Sequence, residues 1–151
     1  MSEMRKLVVF KINEDEFAAD IMQVERILGY VEPTKIPEAP YFVKGVIKYE
    51  NKILPIIDLK NRLNINDTKT NTEPKIIVVK HNERNIGLIV DLVTEVIDIK
   101  QESIEPAPGI VQGISNKYIT GIVKIEDRII VLINTERIVS NDDIEALNSL
   151  A

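Results

Sequence analysis

An all-β chain made of two similar small barrels is what this sequence predicts, and three observations predict it. Its apolar residues come in short Ile/Val-rich runs bounded by polar turns, with the length and β-branching of strands. Text from the first half returns in the second: KGVIKYENKILPIID (44–58) lies without gaps over TGIVKIEDRIIVLIN (120–134), keeping Gly45 with Gly121, Lys48 with Lys124, Glu50 with Glu126, Ile53 with Ile129 and Ile57 with Ile133. Helical signals stand only at the ends of the halves, and many short strands with terminal helices suit small barrels, whose closure protects their edges.

In chain order, strands are expected at LVVFKI (7–12), FVKGVIKY (42–49), ILPIIDL (53–59), IIVV (76–79), IGLIV (86–90), ITGIVKI (119–125) and RIIVLI (128–133). NEDE turns the chain between Ile12 and Phe17, and HNER does so between Val79 and Ile86, so each half opens with a hairpin. KLVVFKINEDEF (6–17) lies over KIIVVKHNERNI (75–86) at an offset of 69 residues, against 76 from Gly45 to Gly121. The seven extra residues of the second half fall between about 100 and 118, around PAPGIVQGIS. This organisation gives halves of approximately 6–66 and 75–139, separated by the polar stretch NINDTKTNTEP (64–74).

Local chemistry refines the elements. Asp58 can cap a short helix through LKNRL, Asn134 can cap TERIV in the same way, and Ser140-x-x-Asp143 begins a last helix over 140–151 with Ile144, Leu147 and Leu150 on one face. Glu50-Asn51-Lys52 is a hairpin tip, because Asn tolerates the left-handed conformation; Asp127 is expected to serve the second copy. Pro55 removes a ladder donor, so its strand should be an edge or bulged there, while Val131 at the matched place can pair on both sides.

Composition bounds the function. The 151 residues are enough for one ordinary domain or two small ones, with about 70% of the unfolded surface buried. With 19 basic and 24 acidic side chains the net charge is −5, the Lys and Arg are scattered, and aromatics make up 5% without Trp, so neither a phosphate-binding surface nor a base-stacking platform is expected. The absence of cysteine excludes disulfides and thiolate chemistry and is the pattern of a reducing compartment such as the cytoplasm. MSEMRKLVVF has no long apolar region behind it, and no stretch approaches the roughly 18 apolar residues of a membrane span, which argues against secretion and insertion.

Chemistry would need convergent groups. The carboxylates Asp20, Asp58, Asp91 and Asp98 are the candidates for acid/base work, but a helix cap at Asp58 and strand ends at Asp20 and Asp91 explain them without catalysis. His81, the only histidine, stands in KHNER with no partner ligand nearby. The six glycines form no phosphate loop, and no nucleophile stands with a base, so no catalytic, metal or cofactor site is expected. Binding is the class that remains.

The segments DIMQVERILGY (20–30), TKIPEAPYFVKGVI (34–47), ILPIIDLKNRL (53–63), GLIVDLVTEV (87–96), IEPAPGI (104–110) and YITGIVKIEDRIIVLINTERI (118–138) together resemble the CheW family of bacterial chemotaxis coupling proteins, in order and over nearly the whole chain. The resemblance implies a non-catalytic, cytoplasmic adaptor of two five-stranded, OB-like barrels, between which strands can be exchanged. Its implied partners are the signalling tip of methyl-accepting chemoreceptors and the regulatory domain of the chemotaxis histidine kinase, with no cofactor, no nucleic acid and contact with membranes only through the receptors.

Carried onto this sequence, the family's receptor groove falls on Val24, Ile27, Gly45, Ile47, Tyr49 and Glu50, faced by Val93 and Val96, and a receptor helix would lay apolar anchors into it. The kinase contact falls on Glu105, Pro106, Pro108, Ile110 and Val111. Two departures stand out: where most members read Asn-Leu-Arg-Gly this chain reads Lys48-Tyr49-Glu50-Asn51, and Glu105 replaces a frequent Arg before Pro-Ala-Pro. Such sign changes act on partner choice more than on fold. The alternative reading is an OB-like nucleic-acid module, opposed by the acidic charge. A third, a carboxylate-dependent hydrolase, would rest on Asp20 and Asp58.

Overall fold

In a computed structural model, residues 3–66, 73–81, 84–108, 110–111, 114–140 and 143 are described. The first half gives β1 (Met4–Ile12), β2 (Asp15–Asp20), β3 (Val24–Gly29), β4 (Val43–Tyr49), β5 (Lys52–Asp58) and the helix α1 (Leu59–Leu63). The second gives β6 (Lys75–His81), β7 (Arg84–Val90), β8 (Leu92–Lys100), the two-residue strands β9 (Ile104–Glu105), β10 (Ile110–Val111) and β11 (Ile114–Ser115), then β12 (Ile119–Ile125) and β13 (Arg128–Ile133).

These strands form a six-stranded sheet in the order β8-β1-β2-β13-β12-β9, a five-stranded sheet in the order β3-β6-β7-β5-β4, and the small pair β10-β11. The two large sheets do not follow the two repeats. The hairpin β1-β2 joins the strands β8, β12 and β13 of the second half, and the equivalent hairpin β6-β7 joins β3, β4 and β5 of the first. Each hairpin is joined by one parallel pairing, β2 with β13 and β7 with β5, and by one antiparallel pairing, β1 with β8 and β6 with β3. Among the described residues the ladders end at β8 and β9 in one sheet and at β3 and β4 in the other, so backbone pairing there does not close either sheet into the expected barrel.

The apolar runs are continuous because both faces of each sheet are covered. Along β6, Ile77 and Val79 point into a central cluster with Phe10, Phe17, Ile57, Leu88 and Val131, which joins the sheets. Ile76 and Val78 point the other way, to Tyr49, Leu54 and Ile56. In β1 the same alternation sends Phe10 to the centre and Leu7 and Val9 to a third cluster with Ala18, Val123 and Ile130.

Pro55 fits the ladder as expected. Pairing of β5 with β7 begins only at Ile56, so Pro55 has β4 on one side and no strand on the other, while Val131 pairs with both Ile122 and Phe17. At the β4-β5 tip Glu50 (φ 48°) and Asn51 (φ 63°) are both left-handed, the geometry of a tight hairpin turn. In the second copy the left-handed residue is Glu126 (φ 53°) and not Asp127.

Asp58 caps α1, accepting from Asn61 N–H at 3.3 Å. Asn134 accepts from Glu136 N–H at 3.1 Å, but residues 135–139 form a turn and bend, not the expected helix. Ser140 and Asp143 bond reciprocally, each backbone N–H to the other's side chain at 3.1 Å, as a capping box does. The rest of the expected final helix, with Ile144, Leu147 and Leu150, lies outside the described residues, as do Asn82 and Glu83 of HNER and 67–72 of the inter-repeat stretch. Among the described residues no helix is long and apolar enough to cross a membrane.

Arg128, at the start of β13, grips Glu16 of β2 through two nitrogens at 2.7 and 3.0 Å and reaches Glu95 of β8 at 3.3 Å. The Arg128 hydrogen bond holds the Glu16 carboxyl below its ordinary value of 4.5, outweighing partial burial. A lowered folded-state value means that the stabilisation is present above the ordinary carboxylate range and is lost as pH falls through the folded value. Urea unfolding of the native chain and Glu16→Gln should therefore differ near neutrality and converge in acid as pH falls through the lowered Glu16 value. A gap independent of pH would show that Glu16 acts by packing.

Candidate docking surfaces

The residues assigned to the receptor groove lie on three strands, all of them sheet edges, β3, β4 and β8, except Glu50, which stands in the turn after β4. Side chains draw β3 and β4 together where the ladder does not. The Tyr49 hydroxyl donates to Glu25 at 2.9 Å, Arg26 pairs with Glu50 at 3.4 Å, and the Arg26 guanidinium stands 5.7 Å from the Tyr49 ring centre. Burial, and then the Glu25 carboxylate, push the Tyr49 phenol above its ordinary range. The acid at Glu50 thus has its counter-charge inside the chain.

Within this set, Ile27 and Val96 are exposed, at 40% and 53%. Val24 and Val93 are half-buried against the central cluster, Ile47 is half-buried, and Tyr49 is a buried member of the cluster on the five-stranded sheet. Gly45 has a different neighbour from the helix expected there. The position of a Cβ on Gly45 lies 2.3 Å from the carbonyl oxygen of Thr34, whose backbone bridges Val46 by two hydrogen bonds of 2.9 Å. Register shifts at this point in β4, so Gly45 is a bulge glycine against the chain's own backbone. Gly121 repeats the arrangement against Ile104 and Glu105. Missed in the sequence was Met22, 73% exposed on the 3₁₀ turn leading into β3, where no apolar period marks it.

The kinase set begins at the other edge of the six-stranded sheet. Glu105 ends β9 and lies 3.6 Å from Lys124, so its charge too is met within the chain. Pro106 and Pro108 are exposed, while Ala107 between them packs on the central cluster and anchors the loop. Ile110 and Val111 form β10, paired with Ile114 and Ser115; their side chains lie outside the described residues.

The candidate catalytic carboxylates do not converge. Asp20 caps the 3₁₀ turn at Met22 and pairs with Arg5, Asp91 is buried and pairs with Lys60 at 3.0 Å while accepting from Asn13 N–H at 2.7 Å, and Asp98 pairs with Lys6 at 2.8 Å. His81 is buried, its Nε2 lying 2.7 Å from the Val139 carbonyl oxygen and 3.0 Å from that of Glu136, where the N–H donates. Among the described residues no group of three or more His, Cys, Asp or Glu side chains is placed to hold a metal ion.

The acids Glu50 and Glu105 are met by bases within the chain, and apolar side chains stand open on the edge strands β3 and β8. The family model of the CheW-like domain matches residues 6–143. The chain is 34% identical over 142 residues to a probable chemotaxis protein CheW of Rhizobium etli, covering 94% of this chain and 92% of that one. It is 32% identical over 137 residues to the chemotaxis protein CheW of Bacillus subtilis, with 91% and 88% covered. The crystal structure of the scaffolding protein TtCheW from Thermoanaerobacter tengcongensis superposes with a TM-score of 0.86 at 37% identity, over 95% of this chain and 92% of that one. The chain belongs to the CheW-like domain family.

Proposed function

We propose that this protein is a cytoplasmic chemotaxis scaffold, joining the signalling tips of chemoreceptors to the regulatory domain of the chemotaxis histidine kinase without catalysing a reaction. The observation that carries this reading is the match of fold and sequence to a scaffolding protein over nearly the full length of both chains. In this reading the receptor helix lies along the exposed Ile27 and Val96, and the kinase meets the loop from Glu105 to Val111. Two prolines stiffen that loop, which lowers the ordering cost of binding. The charges of Glu50 and Glu105, already paired to Arg26 and Lys124, adjust partner choice without leaving a lone acid at either surface.

The test is a reconstitution of receptor fragment, kinase and this chain in chelator-containing buffer. Kinase activity should respond to receptor only when all three are present. Ile110→Ser should weaken kinase binding by about 1–3 kcal/mol at unchanged thermal stability. Receptor control that persists without this chain would reject the scaffold role, and recovery only on adding metal would reject its cofactor-free form.

A further inference from the structure

A cavity of about 500 Å³ opens at one end of the six-stranded sheet, where the start of β1, the end of β2, β9 and the end of β13 come together. Ile104, Leu132 and Ile133 supply its apolar lining. Its ionisable lining is unbalanced: Arg5 stands among three carboxylates, Asp20, Glu105 and Glu136. Arg5 is already engaged, donating to Asp20 and to Gln101. Glu105 shares its charge with Lys124. The Glu136 carboxylate makes no hydrogen bond or ion pair with any described residue.

Thr135, the neighbour of Glu136, is only 4% exposed, and its hydroxyl has no hydrogen-bond partner among the described residues. No side-chain oxygen in the described part is both sealed from solvent and unpartnered, so this hydroxyl keeps some access to solvent, and Thr135 is among the residues that line the cavity. Water or a ligand group can therefore meet it there. Among the charged groups of the lining only the Glu136 carboxylate is still free, whereas the charged donor is taken; Gln23, Gln101, Thr120, Asn134 and Thr135 are neutral and can donate or accept. An anion would therefore meet a neutralised arginine and a bare acid, and a cation would meet free acceptors.

We propose that this cavity binds a cationic side chain, the guanidinium or ammonium of an Arg or Lys, with its head between Glu136 and Thr135 and its stem against Ile104, Leu132 and Ile133. Glu105 and Pro106 form part of the cavity's rim and also open the loop assigned to the kinase. The kinase is thus the source of the basic side chain, an assignment that rests on the proposed function; the preference for a cation does not.

Two experiments on the full chain separate these points. The first is an NMR titration with Nα-acetyl-arginine amide, using Nα-acetyl-glutamine amide as the neutral control. Shifts at Thr120, Thr135 and Glu136 should appear with the cation alone, fade with added salt and weaken by about threefold or more in Glu136→Gln. No cation-specific shift, or equal affinity in Glu136→Gln, would overturn the proposal. The second measures kinase binding by Glu136→Gln and Thr135→Val, both expected to weaken it while Ile110→Ser acts independently. Cation binding in the first experiment with unchanged kinase affinity in the second would overturn the assigned source in favour of a free small cation. Failure of the native chain to bind kinase would overturn the functional reading and leave the titration to decide the cavity.

Discussion

Gly45→Ala should lower the stability of the protein by about 3 kcal/mol, combining overpacking with backbone strain. The added methyl carbon would sit 2.3 Å from the Thr34 carbonyl oxygen and 2.7 Å from its carbon, both backbone atoms with little room to yield. Thr34 is held by its paired hydrogen bonds to Val46, and the φ of 155° at Gly45 is one that a side chain resists. Gly121→Ala should show a comparable loss, since its methyl carbon would meet the Glu105 carbonyl oxygen at 2.7 Å. Gly29→Ala is the control, with nothing within 4 Å of the new atom, and should change stability by less than about 0.5 kcal/mol. Urea midpoints at unchanged slope measure all three. Equal behaviour of Gly45→Ala and Gly29→Ala would mean that the Thr34 bridge can open without cost. One consequence concerns partners: Gly45→Asp should lose receptor and kinase binding together, through misfolding, and so cannot report on the receptor surface alone.

Arg62→Ala should cost about 3 kcal/mol, because one side chain combines a part-buried hydrogen bond, an ion pair and two aromatic contacts. Arg62 lies on α1, donates to the carbonyl of Ile138 and pairs with Asp143 at 3.4 Å. Its guanidinium stands 4.1 Å from the Phe42 ring centre and 5.1 Å from that of Tyr118. Phe42 and Tyr118 occupy matched positions of the two repeats, and their carbonyls accept from the matched residues Asp58 and Asn134, each at 2.8 Å. The repeat also sets Arg62 over Ile138, so the arginine of one copy holds the backbone of its own counterpart in the other. Arg62→Lys, which keeps the charge and loses the planar fork, should recover less than half of the loss. Urea unfolding gives the totals, and hydrogen exchange at the 134–139 turn should quicken first. A change under about 0.5 kcal/mol in Arg62→Ala would show that His81 holds this segment unaided.

Strands with β-branched residues on both faces were legible, because β1, β4 to β7, β12 and β13 carry their burial in their composition. Of the other strands, β2 was legible only as the second arm of the hairpin through NEDE, and β3, β8 and the two-residue β9, β10 and β11 were not. DEFAAD of β2 has no β-branched residue, and Ala18 and Ala19 are buried only because β1 and β13 flank them, a tertiary cause that local propensity does not carry. VERILG of β3 and LVTEVIDIK of β8 are edge strands with mixed exposure, so their alternation is blurred. Pairing across the repeats was illegible for a different reason: where two copies resemble each other, a hairpin satisfies its own half or the other equally well in pattern. Arg62 escaped notice since a basic residue on a short helix reads as solvated, and its aromatic neighbours stand 20 and 56 residues away. The edge positions Ile27 and Val96 came from the family resemblance, and the structure leaves both open.

The crossing of hairpins between sheets sets an order of events during synthesis. β1 has to wait for β8, and β2 for β13, so the six-stranded sheet cannot be assembled until residue 133 has left the ribosome. Until residue 100 has emerged, some of the most apolar text in the chain, Leu7 to Phe10, has only its own hairpin partner. Distant pairing of this kind slows folding, and an unpaired apolar strand invites association with other chains. The lysines at 6 and 11, which bracket that run, act as charged flanks during the wait. The five-stranded sheet needs nothing beyond residue 90, and it can take shape while the rest of the protein is still being made.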